Sequence, residues 1–204
     1  MINLSQIVCA LERNDKIMKI AVFFPGIGYH CDKPLLYYSG KIAGQCQYEL
    51  CRLAYSGLSK EMDKAFGQAF AQTEEALSQI DWNQYEDVLF VSKSIGTIVA
   101  SAYAQKHEVN CRNIYYTPLA QTFSFAPQSG IVFHGTDDPW VETEIVRTGC
   151  REHHLPLHMI EGVNHSLEAK DDAMRNLGIL TQVMESTQSY IVDGIPCRPL
   201  CVQE

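Results

Sequence analysis

Val88-Leu89-Phe90-Val91-Ser92-Lys93-Ser94-Ile95-Gly96-Thr97 is the stretch on which the reading of this chain turns. A short apolar run that suits a buried strand stops at small residues, and an apolar, helix-compatible run follows at once. A serine at such a strand-to-helix turn sits on a tight backbone with its hydroxyl raised above the sheet edge. The pattern is Ser92-x-Ser94-x-Gly96. Five residues are a weak signal alone, so the weight falls on what lies before and after them.

Before them, residues 18–24 (Met-Lys-Ile-Ala-Val-Phe-Phe) form a strand pattern closed by Pro25-Gly26-Ile27-Gly28. A weaker run over 7–11 is expected as an edge strand. Residues 34–43 suit a helix with Pro34 in its first turn. A strand is expected over 48–54 and a long helix over 61–80. After the central stretch, whose helix runs to about Lys106, strands are expected over 113–116 and 130–134. A helix over 142–148, stopped by Gly149, comes next. The last strand is 157–160, and the closing helix lies within 166–187, with an interruption near Gly178. Strands alternating with helices at this spacing predict an α/β fold, a three-layer sandwich around a mostly parallel sheet. Right-handed crossovers then bring the strands' carboxyl ends, with their loops, to one ligand-binding edge. The short connection between the strands at 113–116 and 130–134 leaves no room for a large lid.

The chain has 204 residues, 46% of them apolar and 20% charged, values that suit one well-packed domain spanning 1–204. Its formal charge is −8 and its sixteen Lys and Arg are scattered, which argues against a nucleic-acid partner. No apolar run reaches the length of a membrane helix, so no membrane insertion is expected, and no signal peptide is read. The eight cysteines lie partly inside apolar runs and read as free thiols of a cytoplasmic protein, with a Cys197–Cys201 disulfide left open.

Three strand-end loops carry groups able to do chemistry. The first holds Ser94. The second is His134-Gly135-Thr136-Asp137-Asp138-Pro139, and the third is Gly162-Val163-Asn164-His165-Ser166. Acyl transfer needs a nucleophile, a neutral imidazole to take its proton, and a carboxylate to hold the imidazole's tautomer. Ser, Asp and His follow one another here in that order. An oxyanion hole needs two backbone N–H donors, for which Ile27 and Ile95 are the candidates. Glycines beside such a turn let the backbone approach a substrate closely.

Together these segments resemble the α/β-hydrolase superfamily, in a small, lidless, esterase-like form, over roughly residues 18–177. Pro25-Gly26-Ile27-Gly28 resembles its His-Gly-x-Gly oxyanion turn, Ser92 to Thr97 its nucleophile elbow, His134 to Asp138 its His-Gly-x-x-Asp acid loop, and Asn164-His165-Ser166 its base loop. The resemblance implies catalytic Ser94, Asp138 and His165. Ser92 replaces the elbow's first glycine, and Pro25 replaces a histidine that often braces the oxyanion loop. Neither removes a triad group.

Blander readings stand beside these. The blander reading of Ser94 is a helix cap, accepting an otherwise orphan N–H, and Ser92 lies too early in the turn to compete with it. Asp137 rivals Asp138, the choice resting on loop geometry. His134 is expected to pack or hydrogen-bond beside the acid loop. Gly26, Gly28, Tyr29, His30 and Trp140 are candidates for lining a substrate pocket. Lys93 is expected to project from the elbow toward a substrate carboxylate, or else to form a structural ion pair. His153, His154 and His158, with Cys150 and Glu152, match no metal-ligand spacing, so no metal or cofactor is expected. The expected activity is a serine hydrolase cleaving a small-molecule carboxylic ester or thioester through an acyl-enzyme. An amidase or peptidase of the same fold, a non-catalytic binding protein, and a scaffolding role in a homo-oligomer remain alternatives.

Overall fold

Strand β3 (Asp87–Lys93) lies near the centre of a six-stranded sheet, with β1 (Lys19–Phe24) on one side and β4 (Arg112–Tyr116) on the other. The computed structural model describes residues 18–127 and 129–194. Strands β2 (Glu49–Arg52), β5 (Gly130–Gly135) and β6 (Leu157–Ile160) complete the order β2-β1-β3-β4-β5-β6. Every pairing among them is parallel. Among the described residues, α1 (Pro34–Gln45), α2 (Met62–Leu77), α3 (Ile95–Lys106) and α4 (Thr143–Glu152) lie between strands, and α5 (Ala173–Asp193) follows β6.

The near-continuous apolar character of the central strands follows from burial on both faces. Ala21, Phe23, Leu89, Val91, Ile114, Ile131 and Phe133 point to one face and pack with Leu35 and Leu36 of α1 and Ile179 and Val183 of α5. Ile20, Val22, Phe24, Val88 and Phe90 point to the other, against Ala69 and Leu77 of α2 and Val99 and Tyr103 of α3. Tyr115 and Val132 extend that second layer to Val146 and Cys150 of α4. Each Val, Leu, Ile or Phe among them contributes roughly 1.5–3 kcal/mol on burial, so the central strands dominate the core. The expected three-layer α/β architecture is what is observed. Between β4 and β5 the described residues hold a 3-10 segment, Ala120–Phe125, and no cap domain.

Several local expectations are corrected. Helix α4 runs through Gly149 to Glu152. Gly149 is there for packing: a Cβ on it would lie 2.4 Å from the ring of Phe123. The closing helix begins at Ala173, where the Asp172 side chain accepts the Arg175 N–H at 2.9 Å, and it passes Gly178 unbroken. An added Cβ at Gly178 meets nothing within 4 Å. Gly178→Ala is therefore expected to stabilise the protein by about 0.5–1 kcal/mol, seen as a higher denaturation midpoint at unchanged slope. The expected edge strand at 7–11 and the Cys197–Cys201 pair lie outside the described residues. Cys31, Cys46, Cys51, Cys111 and Cys150 are free thiols. Among the described residues, no helix is long and apolar enough to cross a membrane.

Candidate active site

The elbow comes first, because it sets where everything else must meet. β3 ends at Lys93 and α3 begins at Ile95, so Ser94 alone makes the turn, at φ 56° and ψ −126°. That backbone is strained for any residue with a Cβ, and such strain gathers where function requires a displayed side chain. The Ser94 side chain does not cap α3. Instead the Thr97 hydroxyl donates to the Ser94 carbonyl at 2.6 Å. Gly96 lets the helix start hard against β1, since a Cβ there would lie 2.2 Å from the Phe24 carbonyl oxygen. Ser92, where the resembled elbow has glycine, is accommodated by burial and by donating its hydroxyl to the Ile114 carbonyl at 3.2 Å.

The turn after β1 lies against this elbow. A Cβ on Gly26 would stand 3.1 Å from the Ser94 Cβ, so glycine is what allows the approach. Gly28 has φ +70°, and paired Gly26–Tyr29 backbone hydrogen bonds of 3.0 and 3.2 Å close the turn. Among the described residues, no backbone carbonyl accepts the N–H of Ile27 or of Ile95.

The other two loops are stitched together. Thr136 N–H donates to the Ile160 carbonyl and Asp137 N–H to the Val163 carbonyl, both at 3.0 Å. The Gly162 N–H reaches the Thr136 hydroxyl at 2.8 Å. Gly135 permits the crossing, since a Cβ there would lie 2.3 Å from the Val163 carbonyl oxygen. Within the third loop, Asn164 accepts the Ser166 N–H at 2.7 Å through its side chain, an Asx turn that presents the residue between them. That residue, His165, is held further by its carbonyl, which accepts the Thr117 hydroxyl at 3.1 Å. Thr117 has φ 45° and no feature in the sequence marks it.

These constraints bring three groups into one line. Ser94 Oγ is 2.8 Å from His165 Nε2, and His165 Nδ1 is 2.6 Å from Asp138 Oδ2. A carboxylate on Nδ1 places the imidazole proton there and leaves Nε2 to accept from the serine. The Asp138 side chain is fully buried, and its other oxygen accepts the Trp140 N–H at 2.9 Å. Asp137 is exposed, and its carboxylate accepts the Thr136 hydroxyl at 3.3 Å. Burial lowers the His165 pKa below the ordinary histidine value. The Asp138 hydrogen bond and charge oppose this, and Lys93 adds to it. His134 is buried beneath the acid loop, its Nε2 3.1 Å from the Thr143 hydroxyl and its Nδ1 3.9 Å from Asp138.

The remaining candidates scatter. Trp140 is exposed, with its ring 6.1 Å from that of His165. His30 is exposed, and its Nδ1 accepts the Asp32 N–H at 3.3 Å. Tyr29 is half-buried. Lys93 does not project from the elbow: it is 1% exposed, because the strand's alternation turns it into the layer beneath α1 and α5. Its ammonium lies 5.1 Å above the Tyr29 ring. Among the described residues, no cluster of three or more His, Cys, Asp or Glu has the arrangement of a metal site.

No family model and no curated protein matches this chain. Solved structures do. The chain is similar to Est1E from Butyrivibrio proteoclasticus, with a TM-score of 0.66, 12% identity, and 89% of this chain and 90% of that one covered. Est1E has also been solved with ferulic acid bound. XC6422 from Xanthomonas campestris, described as an α/β serine hydrolase without lid, aligns with a TM-score of 0.64 at 15% identity, covering 89% and 84% of the two chains. An α/β serine hydrolase homologue from Coxiella burnetii gives 0.60 at 16%, covering 88% and 86%. Sequence identity this low carries architecture alone, and on that architecture the chain has the α/β-hydrolase fold, with no cap domain among its described residues.

Proposed function

We propose that this protein is a serine hydrolase that cleaves small carboxylic esters or thioesters through an acyl-enzyme on Ser94. The observation that carries the reading is the unbroken hydrogen-bonded line from Ser94 Oγ through His165 to Asp138, at 2.8 and 2.6 Å. His165 Nε2 takes the Ser94 proton as Oγ attacks the carbonyl carbon. Negative charge then develops on the carbonyl oxygen, where the Ile27 and Ile95 N–H groups are the donors. Asp138 stabilises the imidazolium and keeps it oriented. His165 next protonates the departing alkoxide or thiolate, and the same imidazole activates water to release the acid. The open strand-end edge favours small substrates, since the described residues include no cap to enclose a long lipid. The neighbour Est1E, with its bound ferulic acid, is in keeping with a small acid or ester as ligand.

A fluorophosphonate probe is expected to label the protein at Ser94, and Ser94→Ala to abolish both labelling and p-nitrophenyl acetate turnover. Persistent turnover in that variant would place the chemistry elsewhere, and an unlabelled, inactive wild type would favour a binding protein. The pH profile supplies a second check. His165 must be neutral to act, and its pKa is lowered. So kcat/KM should rise with pH through a midpoint below the ordinary histidine value of about 6.5.

A further inference from the structure

The turn that carries the Ile27 N–H has no tether of its own. Pro25 and Gly26 offer no polar side chain, Ile27 is 52% exposed, and Gly28 has no side chain at all. Its closure is the pair of backbone hydrogen bonds between Gly26 and Tyr29, so the place of the turn is set by the place of Tyr29. Tyr29 is itself held from two directions. Its hydroxyl accepts the Leu35 N–H at 3.1 Å, filling the role of a cap for α1, whose N-cap residue Lys33 makes no side-chain cap. Its ring faces the Lys93 ammonium at 5.1 Å.

Lys93 is the residue immediately before Ser94, and it is buried where an apolar side chain of similar length would pack without any cost of desolvating a charge. An ammonium at a desolvated site is attracted strongly to an aromatic face. The contact therefore ties the turn after β1 to the end of β3. Those are the two segments from which the Ile27 and Ile95 N–H groups come, and a donor pair works only if its members are fixed relative to each other.

We propose that Lys93 and Tyr29 are positioning residues, in which the Lys93 ammonium clamps the Tyr29 ring and thereby holds the Ile27 N–H opposite the Ile95 N–H across Ser94. The inference rests on the hydrolase reading above and adds to it a positioning role for two residues. Burial draws the Lys93 pKa down to about 7, with the Asp138 carboxylate opposing the fall. The clamp is thus fully charged only on the acid side of neutrality. Asp138 and His165 face Lys93 from the loops after β5 and β6, and Tyr29 faces it from the turn after β1.

The test compares wild type, Lys93→Met, Tyr29→Leu and Tyr29→Phe at about pH 6, where the ammonium is retained. The readouts are p-nitrophenyl acetate kinetics and inhibition by a trifluoromethyl ketone, whose serine adduct carries an oxyanion. Lys93→Met and Tyr29→Leu should each lower kcat by about 10- to 100-fold, with KM within about two-fold, and weaken the ketone by a similar factor. Tyr29→Phe keeps the ring under the ammonium and should retain most of the activity. A folded Lys93→Met with wild-type kcat and ketone affinity overturns the proposal, even if its melting temperature falls. Tyr29→Leu breaks the same contact from the other side, so the question stays answerable if Lys93→Met does not fold. An active wild type matched by its variants overturns the clamp alone, whereas an inactive, unlabelled wild type overturns the hydrolase reading and the clamp with it.

Discussion

Asp138→Asn is expected to lower kcat for ester turnover by about 10³- to 10⁴-fold, with little change in KM, while Asp137→Asn stays within about two-fold of wild type. The two carboxylates are neighbours in sequence and differ in everything else. Asp138 is buried, 2.6 Å from His165 Nδ1, with its second oxygen on the Trp140 N–H. Asp137 faces solvent. An asparagine at 138 can turn its amide NH₂ toward Nδ1, which moves the imidazole proton to Nε2. A protonated Nε2 cannot accept from Ser94 at 2.8 Å, so the base is lost although the shape is kept. Steady-state kinetics on both variants check this. Equal losses at 137 and 138 would mean that loop integrity, and not the carboxylate on the imidazole, sets the rate.

Gly96→Ala should be among the most damaging small changes available, costing about 3 kcal/mol or more of stability. The added Cβ would lie 2.2 Å from the Phe24 carbonyl oxygen and 2.7 Å from that of Pro25. Both obstacles are backbone, at the end of β1 and the start of the turn bearing Ile27. Relief requires α3 to back away from the sheet or that turn to move, and either displaces Ile95 N–H from Ile27 N–H. The expected result is a markedly lower denaturation midpoint, with activity depressed even in the fraction that stays folded. Gly178→Ala serves as the control: it is the same chemical change on an open helix face and should have the opposite sign. A Gly96→Ala protein as stable as wild type would show that the elbow has room for a methyl group against β1.

Much of the architecture was legible because periodicity and punctuation are local. The buried runs of β1 and β3, the small-residue turn between Lys93 and Ile95, and the regular alternation of strand and helix each depend on neighbours in sequence. Element ends were less legible, and glycines misled. Gly149 reads as a stop and Gly178 as a break, yet α4 and α5 run through both. Whether a helical glycine ends a helix or admits a ring such as Phe123 depends on what lies opposite, which no local pattern contains.

The order of Ser94, Asp138 and His165 along the chain, and their places at strand ends, follow from the sequence itself, because a parallel sheet delivers every strand's carboxyl end to one edge. Which carboxylate meets the imidazole, where Lys93 points and how the Ile27 turn is held were decided only by tertiary structure. Hydrogen bonds from Thr136 and Asp137 to the end of β6 and the loop after it choose the register of the acid loop, and the pleat of β3 turns Lys93 inward against the Tyr29 ring. Those outcomes depend on contacts between segments tens of residues apart, and distances of that kind are set by packing.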